Sequence, residues 1–210
     1  MRIHHALKAL LLITTAVLLP ACKSINPRQL ASLTPKEKQE YIETLEDWSF
    51  TGKIAIIPLD NTAGKKQSAT IHWQQNKTAF DVDINTFLGI NILNLEQIDN
   101  HATLSFDGNT YKGTSAEALI NTHARLSLPL TYLPTWLKGI ARNTPFIQLE
   151  KNTTGRVQSL TFYDHFNQPW QLAITQYAVT QGLLMPRKFI IQNNRFKIRL
   201  IITQWQFANE

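Results

Sequence analysis

One cysteine, Cys22, is all that 210 residues offer, so neither an intrachain disulfide nor a cysteine-built metal site is available. Charge is sparse as well: Asp, Glu, Lys and Arg make up 17% of positions, against 43% hydrophobic ones. That balance excludes a long disordered or acidic-tail chain over most of the length. Eight glycines and nine prolines exclude collagen-like or elastic repeats, and no internal repeat is present. A mean hydropathy of -0.18 excludes a polytopic membrane protein. Catalytic signatures are missing too. The sequence has no HExxH, no Cys-His cluster, no GxSxG elbow and no glycine-rich phosphate loop before a helix.

What charge there is begins in an export signal. Arg2 and Lys8 accompany an almost purely apolar run from Ala9 to Leu19, too short to span a bilayer as a mature helix. The run ends in Leu19-Pro20-Ala21-Cys22, which resembles the bacterial lipobox. An ordinary secretory site has no use for a cysteine after the cut. A lipoprotein signal requires one, because its thiolate is the strong nucleophile that takes a diacylglyceryl group. Residues 1–21 therefore read as a lipoprotein signal peptide, 22–33 as a lipidated tether and 34–210 as one folded domain. No cofactor is expected beyond the covalent N-acyl diacylglycerol anchor on Cys22. At about 0.8 kcal/mol per buried methylene, two or more acyl chains attach a protein stably. Lys23 stands where similar lipoproteins kept at the inner membrane carry aspartate, which points to the outer membrane. Without Arg2 and Lys8, 19 basic side chains face 15 acidic ones, and the formal charge falls from +6 to +4.

Thr34, Pro35 and Glu37 signal a helix start, and Pro35 to Asp47 reads as a charged helix. From Trp48 the period changes to two. Trp48, Phe50, Gly52, Ile54 and Ile56 share one face, then Ala69, Ile71 and Trp73, then Phe80, Val82 and Ile84. Turn residues at Asp60 to Lys66 and Asn76-Lys77 join these strands into an antiparallel meander. It continues through Ile90 to Leu95 and His101 to Phe106, with a tight turn at Asp107-Gly108-Asn109. Thr114-x-x-Glu117 resembles a capping box opening a helix to Arg125, and Trp136-Leu137 reads as a short helix ending at Gly139. Strands resume near Phe146 to Leu149, Val157 to Tyr163, Trp170 to Tyr177, Lys188 to Ile191 and Arg195 to Phe207. With about ten strands and no repeated strand-helix unit, the expected fold is mainly β with a few helices. A single-domain antiparallel, incompletely closed barrel suits this pattern, with helices covering its mouth.

Four histidines remain after the signal, His72, His101, His123 and His165, and none has a partner at metal-ligand spacing. Asp81 and Asp83 read as a polar exterior face rather than a carboxylate pair. Five tryptophans are a generous supply. Singly each fills a core; together they suit an apolar pocket inside a strongly curved sheet. Thr86-Phe87-Leu88-Gly89 carries two large apolar residues where a turn wants polar ones. Either it folds inward onto the core or it protrudes as a membrane-directed tip. No acidic residue occurs from Phe166 to Asn209, while Arg187, Lys188, Arg195, Lys197 and Arg199 do. A solvated face accounts for that; beyond it, an anionic membrane or acidic protein fits an exported chain better than nucleic acid.

The lipobox, Gly52, Trp73-Gln74-Gln75, Phe87-Leu88-Gly89, Gly108 with Tyr111, Pro129, Trp136-Leu137-x-Gly139, Trp170, Pro186 and Trp205, in this order, resemble the LolB family of outer-membrane lipoprotein receptors. The resemblance runs over essentially the whole chain. It implies no catalysis. The implied protein is an outer-membrane-anchored, periplasm-facing monomer. It would accept lipoprotein clients from a LolA-like periplasmic carrier, hold their acyl chains in a hydrophobic cavity and release them into outer-membrane lipid. The resemblance makes Trp73, Trp136, Trp170 and Trp205 the recurrent tryptophans and Leu88 the exposed leucine of a membrane-insertion loop, with Phe87 where some relatives have proline. The expected cavity residues are these four tryptophans with Phe80, Val82, Ile84, Leu104, Leu172, Ile198 and Leu200. The alternative is a periplasm-facing lipid-binding or assembly-scaffold lipoprotein using the same barrel. A lipid-modifying enzyme lacks any nucleophile-and-base arrangement.

Overall fold

A computed structural model describes residues 27–59, 66–164 and 167–207. The signal peptide, Cys22, Lys23, His165 and nearly all of the Asp60 to Lys66 turn lie outside the described residues. The first element is α1 (Pro27–Ser32). It occupies part of the expected tether, and Leu30 is buried in the core, so folded structure begins upstream of Thr34. Helix α2 (Pro35–Thr44) opens with a full capping box: Glu37 N donates to Thr34 Oγ1 (3.3 Å) and Thr34 N to Glu37 Oε2 (2.7 Å). It ends three residues earlier than its charge pattern suggests, because Asp47 is already paired as a strand.

Eleven strands follow. The first meander is β1 (Asp47–Pro58), β2 (Gln67–Asn76), β3 (Ala79–Asn85), β4 (Asn91–Ile98), β5 (His101–Phe106) and β6 (Asn109–Gly113). Helices α3 (Ala116–Ala124) and α4 (Leu133–Leu137) come next. The second meander is β7 (Gln148–Lys151), β8 (Val157–Tyr163), β9 (Pro169–Thr180), β10 (Leu183–Gln192) and β11 (Phe196–Phe207). All lie in one antiparallel sheet of order β6-β5-β4-β3-β2-β1-β11-β10-β9-β8-β7. The first and last strands are therefore central neighbours, and β6 and β7 are free edges. The sheet is an incompletely closed barrel, as expected. The N-cap of α3 is Ser115, whose Oγ accepts from Ala118 N (3.3 Å), rather than Thr114. Ser115 has the extended backbone a cap needs, while the carbonyl of Thr114 is taken by Gln97 Nε2 (3.4 Å).

The alternation read in the sequence is the inside and outside of this sheet. Trp48, Phe50 and Gly52 are buried, and Ile54 and Ile56 face inward beyond them. The β1–β11 ladder has one irregularity: Thr51 pairs with Gln204 but Gly52 pairs with Ile202, so β11 carries an extra residue, Thr203. The Thr203 hydroxyl donates to the carbonyl of Thr51 (3.0 Å). At this bulge the chains approach so closely that a Cβ on Gly52 would sit 2.6 Å from the carbonyl oxygen of Ile201. Since backbone rather than a flexible side chain would have to give way, Gly52→Ala is expected to cost about 1–3 kcal/mol. Urea denaturation checks this; an unshifted midpoint would show that the bulge has slack.

Candidate functional site

Antiparallel order puts the β1–β2, β3–β4, β5–β6 and β10–β11 connections at one end of the sheet. An apolar cavity of about 550 Å³ lies inside the sheet toward that end. Its strand wall is built from alternate positions: Ile54, Ile56, Ala69, Ile71, Ile84, Leu93, Ile198 and Leu200. Its opposite wall comes from α3, α4 and the irregular chain between them, through Ile120, Ala124, Leu126, Leu128, Leu130, Leu133 and Leu137. The charged or amide groups on its surface are Gln67, Arg125 and Arg195. Gln67 opens β2 and Arg195 immediately precedes β11, which locates the polar rim at the connection end.

The floor is aromatic. Trp48, Phe50, Trp73, Trp205, Phe80 and Phe207 stack or meet edge-on with centroids 5.3–6.3 Å apart. Trp73 Nε1 donates to Gln75 Oε1 (3.0 Å), and Gln75 Nε2 donates to the carbonyl of Lys77 (2.7 Å). Trp205 Nε1 donates to the carbonyl of Pro186 (2.9 Å). A second aromatic file, Trp136, Phe162 and Trp170, fills the space under β8 and β9. Trp136 Nε1 donates to Thr144 Oγ1 (2.7 Å) and Trp170 Nε1 to Asp164 Oδ2 (3.2 Å). Each of these four buried indoles thus has its one donor used within the fold.

The expected cavity set divides accordingly. Trp73, Val82, Ile84, Ile198 and Leu200 line the cavity. Trp205 and Phe80 belong to the floor, Trp136 and Trp170 to the second file, and Leu104 and Leu172 are fully buried in packed core. Inward parity is common to the ten strand residues, while Trp136 comes from α4. What separates them is whether a neighbouring side chain already fills the space each one faces. Leu126, Leu128 and Leu130 of the covering wall alternate with Ser127 and Pro129 but belong to no strand or helix, so their alternation did not place them on the cavity. Their signal was composition: three leucines, Leu126, Leu128 and Leu130, in a short segment beside Pro129.

The covering segment is fastened at both ends. Ala116 N donates to Gln97 Oε1 (2.8 Å), fixing the start of α3 to β4. The Tyr111 and His123 rings stack at 3.5 Å, holding α3 on β6. Beyond α4, Lys138 Nζ donates to the carbonyls of Leu45 (2.7 Å) and Glu43 (3.4 Å) at the end of α2. Burial holds the Lys138 ammonium below its ordinary pKa, partly offset by Glu46 and Glu43. Tyr177 is pushed above its usual range, chiefly by burial, and its hydroxyl donates to the carbonyl of Val157 (2.7 Å). Both groups serve as anchors in the packing.

The β3–β4 connection protrudes. Leu88 is 89% exposed, Phe87 67% and Ile90 63%. Gly89 takes φ +82°, and the turn is closed by Ile90 N donating to Thr86 Oγ1 (3.0 Å) and by Gly89 N donating to the carbonyl of Thr86 (3.0 Å). The loop therefore protrudes rather than folding inward onto the core. On the sheet exterior, Asp81 and Asp83 share the Asn94 amide (2.8 and 3.0 Å). Desolvation and the neighbouring Asp83 raise Asp81 above its ordinary pKa. No group of three or more metal-ligating side chains occurs among the described residues.

Comparison with known proteins bears on this arrangement. The family model for the outer membrane lipoprotein LolB matches residues 46–205, from the start of the central strand β1 nearly to the end of β11. The outer-membrane lipoprotein LolB of Pseudoalteromonas translucida is 29% identical over 180 residues, 86% of each chain. That of Tolumonas auensis is 28% identical over 203 residues, 96% of this chain and 98% of its own. Among solved structures, a LolA superfamily protein from Nitrosomonas europaea superposes with a TM-score of 0.51 at 8% identity, covering 89% of this chain and 95% of that one. A DUF1329 family protein from Desulfovibrio piger gives 0.53, also at 8% identity, over 87% and 92%. These two likenesses are of fold. The sequence match spans both meanders and the segment that covers the cavity, and the chain belongs to the LolB family of outer-membrane lipoproteins.

Proposed function

We propose that this chain is the outer-membrane receptor that takes lipoproteins from a LolA-type periplasmic carrier, lodges their acyl chains in the 550 Å³ cavity and inserts them into the membrane to which its own Cys22 lipid anchors it. One observation carries the reading: the polar-rimmed cavity and the exposed Phe87-Leu88 tip lie at the same end of the sheet. A tip that enters the bilayer thereby brings the cavity opening to the lipid surface.

The activity is transfer, with no bond made or broken. Its driving force is burial of apolar surface, about 25 cal/mol per Å² removed from water. Net movement then requires the carrier to hold the chains least well and the bilayer best. Aliphatic walls suit the intermediate position, because branched side chains accept hydrocarbon without imposing one shape. Ile54, Ile56 and Ile84 are only partly buried, so the cavity surface is incompletely satisfied until something apolar enters.

Three outcomes are expected. Mixed with carrier–lipoprotein complex, the mature chain bearing Cys22→Ser should still strip lipoprotein from the carrier. Absence of transfer would overturn the reading, and a tightly held small lipid without carrier interaction would favour the scaffold alternative. Leu88→Glu should retain uptake yet lose most delivery to liposomes, because a carboxylate at the tip opposes entry into hydrocarbon; delivery equal to wild type would reduce the loop to packing. Ala69→Phe fills the cavity from the strand wall. If it displaces two methylenes of bound chain, fluorescent acyl-probe affinity should fall about tenfold, and unchanged affinity would place the chains elsewhere.

A further inference from the structure

Arg125, Arg195 and Phe196 belong to two compartments at once. On one side is the apolar cavity; on the other is a polar recess of about 480 Å³, shaped also by Asn121, Ser127, Asp164 and Asn194. The recess has a built floor and rim. Trp170 is buried beneath it with its N–H on Asp164 (3.2 Å). The Asn193 Oδ1 accepts from Arg195 N and Phe196 N (both 2.8 Å), a turn that presents Asn194 and Arg195 at the edge. Arg125 ends α3 in the left-handed conformation, φ +55° and ψ +29°. That position ordinarily selects glycine, so a long cationic side chain here is kept against backbone preference.

An apolar chamber that shares Arg125, Arg195 and Phe196 with a neighbouring recess of amide, hydroxyl, carboxylate and guanidinium groups is complementary to a molecule that is hydrocarbon at one end and hydrogen-bonding at the other. We infer that the recess holds the first peptide residues following the acylated cysteine of a lipoprotein client while the acyl chains occupy the cavity. This rests on the acyl-cavity reading above and names which part of the client the rim recognises. The chemistry favours a peptide over a phospholipid head. A peptide offers carbonyl acceptors to the Arg125 guanidinium and N–H donors to the Ser127 hydroxyl and the side-chain carbonyls of Asn121 and Asn194. A phosphate offers acceptors alone and would lie beside the Asp164 carboxylate.

The test uses the mature chain bearing Cys22→Ser, with three probes: a synthetic diacylglyceryl-cysteinyl pentapeptide, phosphatidylglycerol, and the neutral apolar fluorophore N-phenylnaphthylamine. The double variant Asn121→Ala/Asn194→Ala touches the recess and not the cavity, and alanine suits the helical position of Asn121. Expected is a loss of about tenfold in lipopeptide affinity, equivalent to one or two hydrogen bonds, with fluorophore binding unchanged. Arg125→Gly should weaken lipopeptide binding while raising thermal stability, a pairing that a merely structural arginine would not give. Equal lipopeptide affinity in variant and wild type overturns the inference, as does a loss confined to phosphatidylglycerol. If wild type binds the fluorophore but not the lipopeptide, the recess inference falls and the cavity stands; if it binds neither, the cavity reading falls as well.

Discussion

The pairing of β1 with β11 is the constraint from which the rest of the molecule follows. Each meander on its own would present two edges and one greasy face to water. Joining them through the first and last strands makes a single sheet of eleven strands whose concave side is large enough to enclose something. The join is irregular at Thr51/Gly52, where the extra residue Thr203 and a backbone approach that excludes any Cβ bend the two central strands together. Bulges increase local bend and twist, and here the bend lies beside the aromatic floor, with the cavity beyond it.

Within that curved sheet the protein treats its two halves differently. Under β8 and β9 the space is filled by Trp136, Phe162 and Trp170, with the Trp136 and Trp170 indole donors satisfied locally. Under β1 to β4 a floor of packed rings gives way upward to aliphatic side chains that face the cavity. Natural cores seldom leave such space, because unfilled volume forfeits dispersion contacts. The proposed receptor role gives a reason for a cavity kept among isoleucines and leucines and rimmed by two arginines and a glutamine.

Much of this was legible in the sequence because most strands are buried on one face only. Trp48-x-Phe50-x-Gly52 and Phe80-x-Val82 announced their inward sides, and Thr34 with Glu37 announced a helix start that the hydrogen bonds reproduce. The misses have physical reasons. Six-residue α1 has no helix signal of its own strength and is held by burial of Leu30, a tertiary event. Period two says that Leu104, Leu172 and Trp205 point inward but not whether another side chain waits there. The loop at Phe87-Leu88 was undecidable because its direction depends on the φ +82° of Gly89 and on the Thr86 hydroxyl, neither of which leaves a trace in hydrophobic pattern. The partition between cavity and packed core is a property of what α3 and α4 cover.

The open seam between β6 and β7 has a mechanical consequence. A closed barrel has its girth fixed by strand number and shear, and widening it means breaking inter-strand hydrogen bonds. This wall is a clasp rather than a ring. Its hydrogen-bonded ladders run through the β1–β11 spine, while the helical segment that crosses from one free edge to the other meets the strand wall through side chains. Changing the bore asks only that Ile120, Leu126 and Leu133 slide against the strand wall, leaving every ladder intact. For the proposed receptor, guests of unequal bulk would then be accommodated at a cost measured in side-chain contacts rather than in backbone hydrogen bonds.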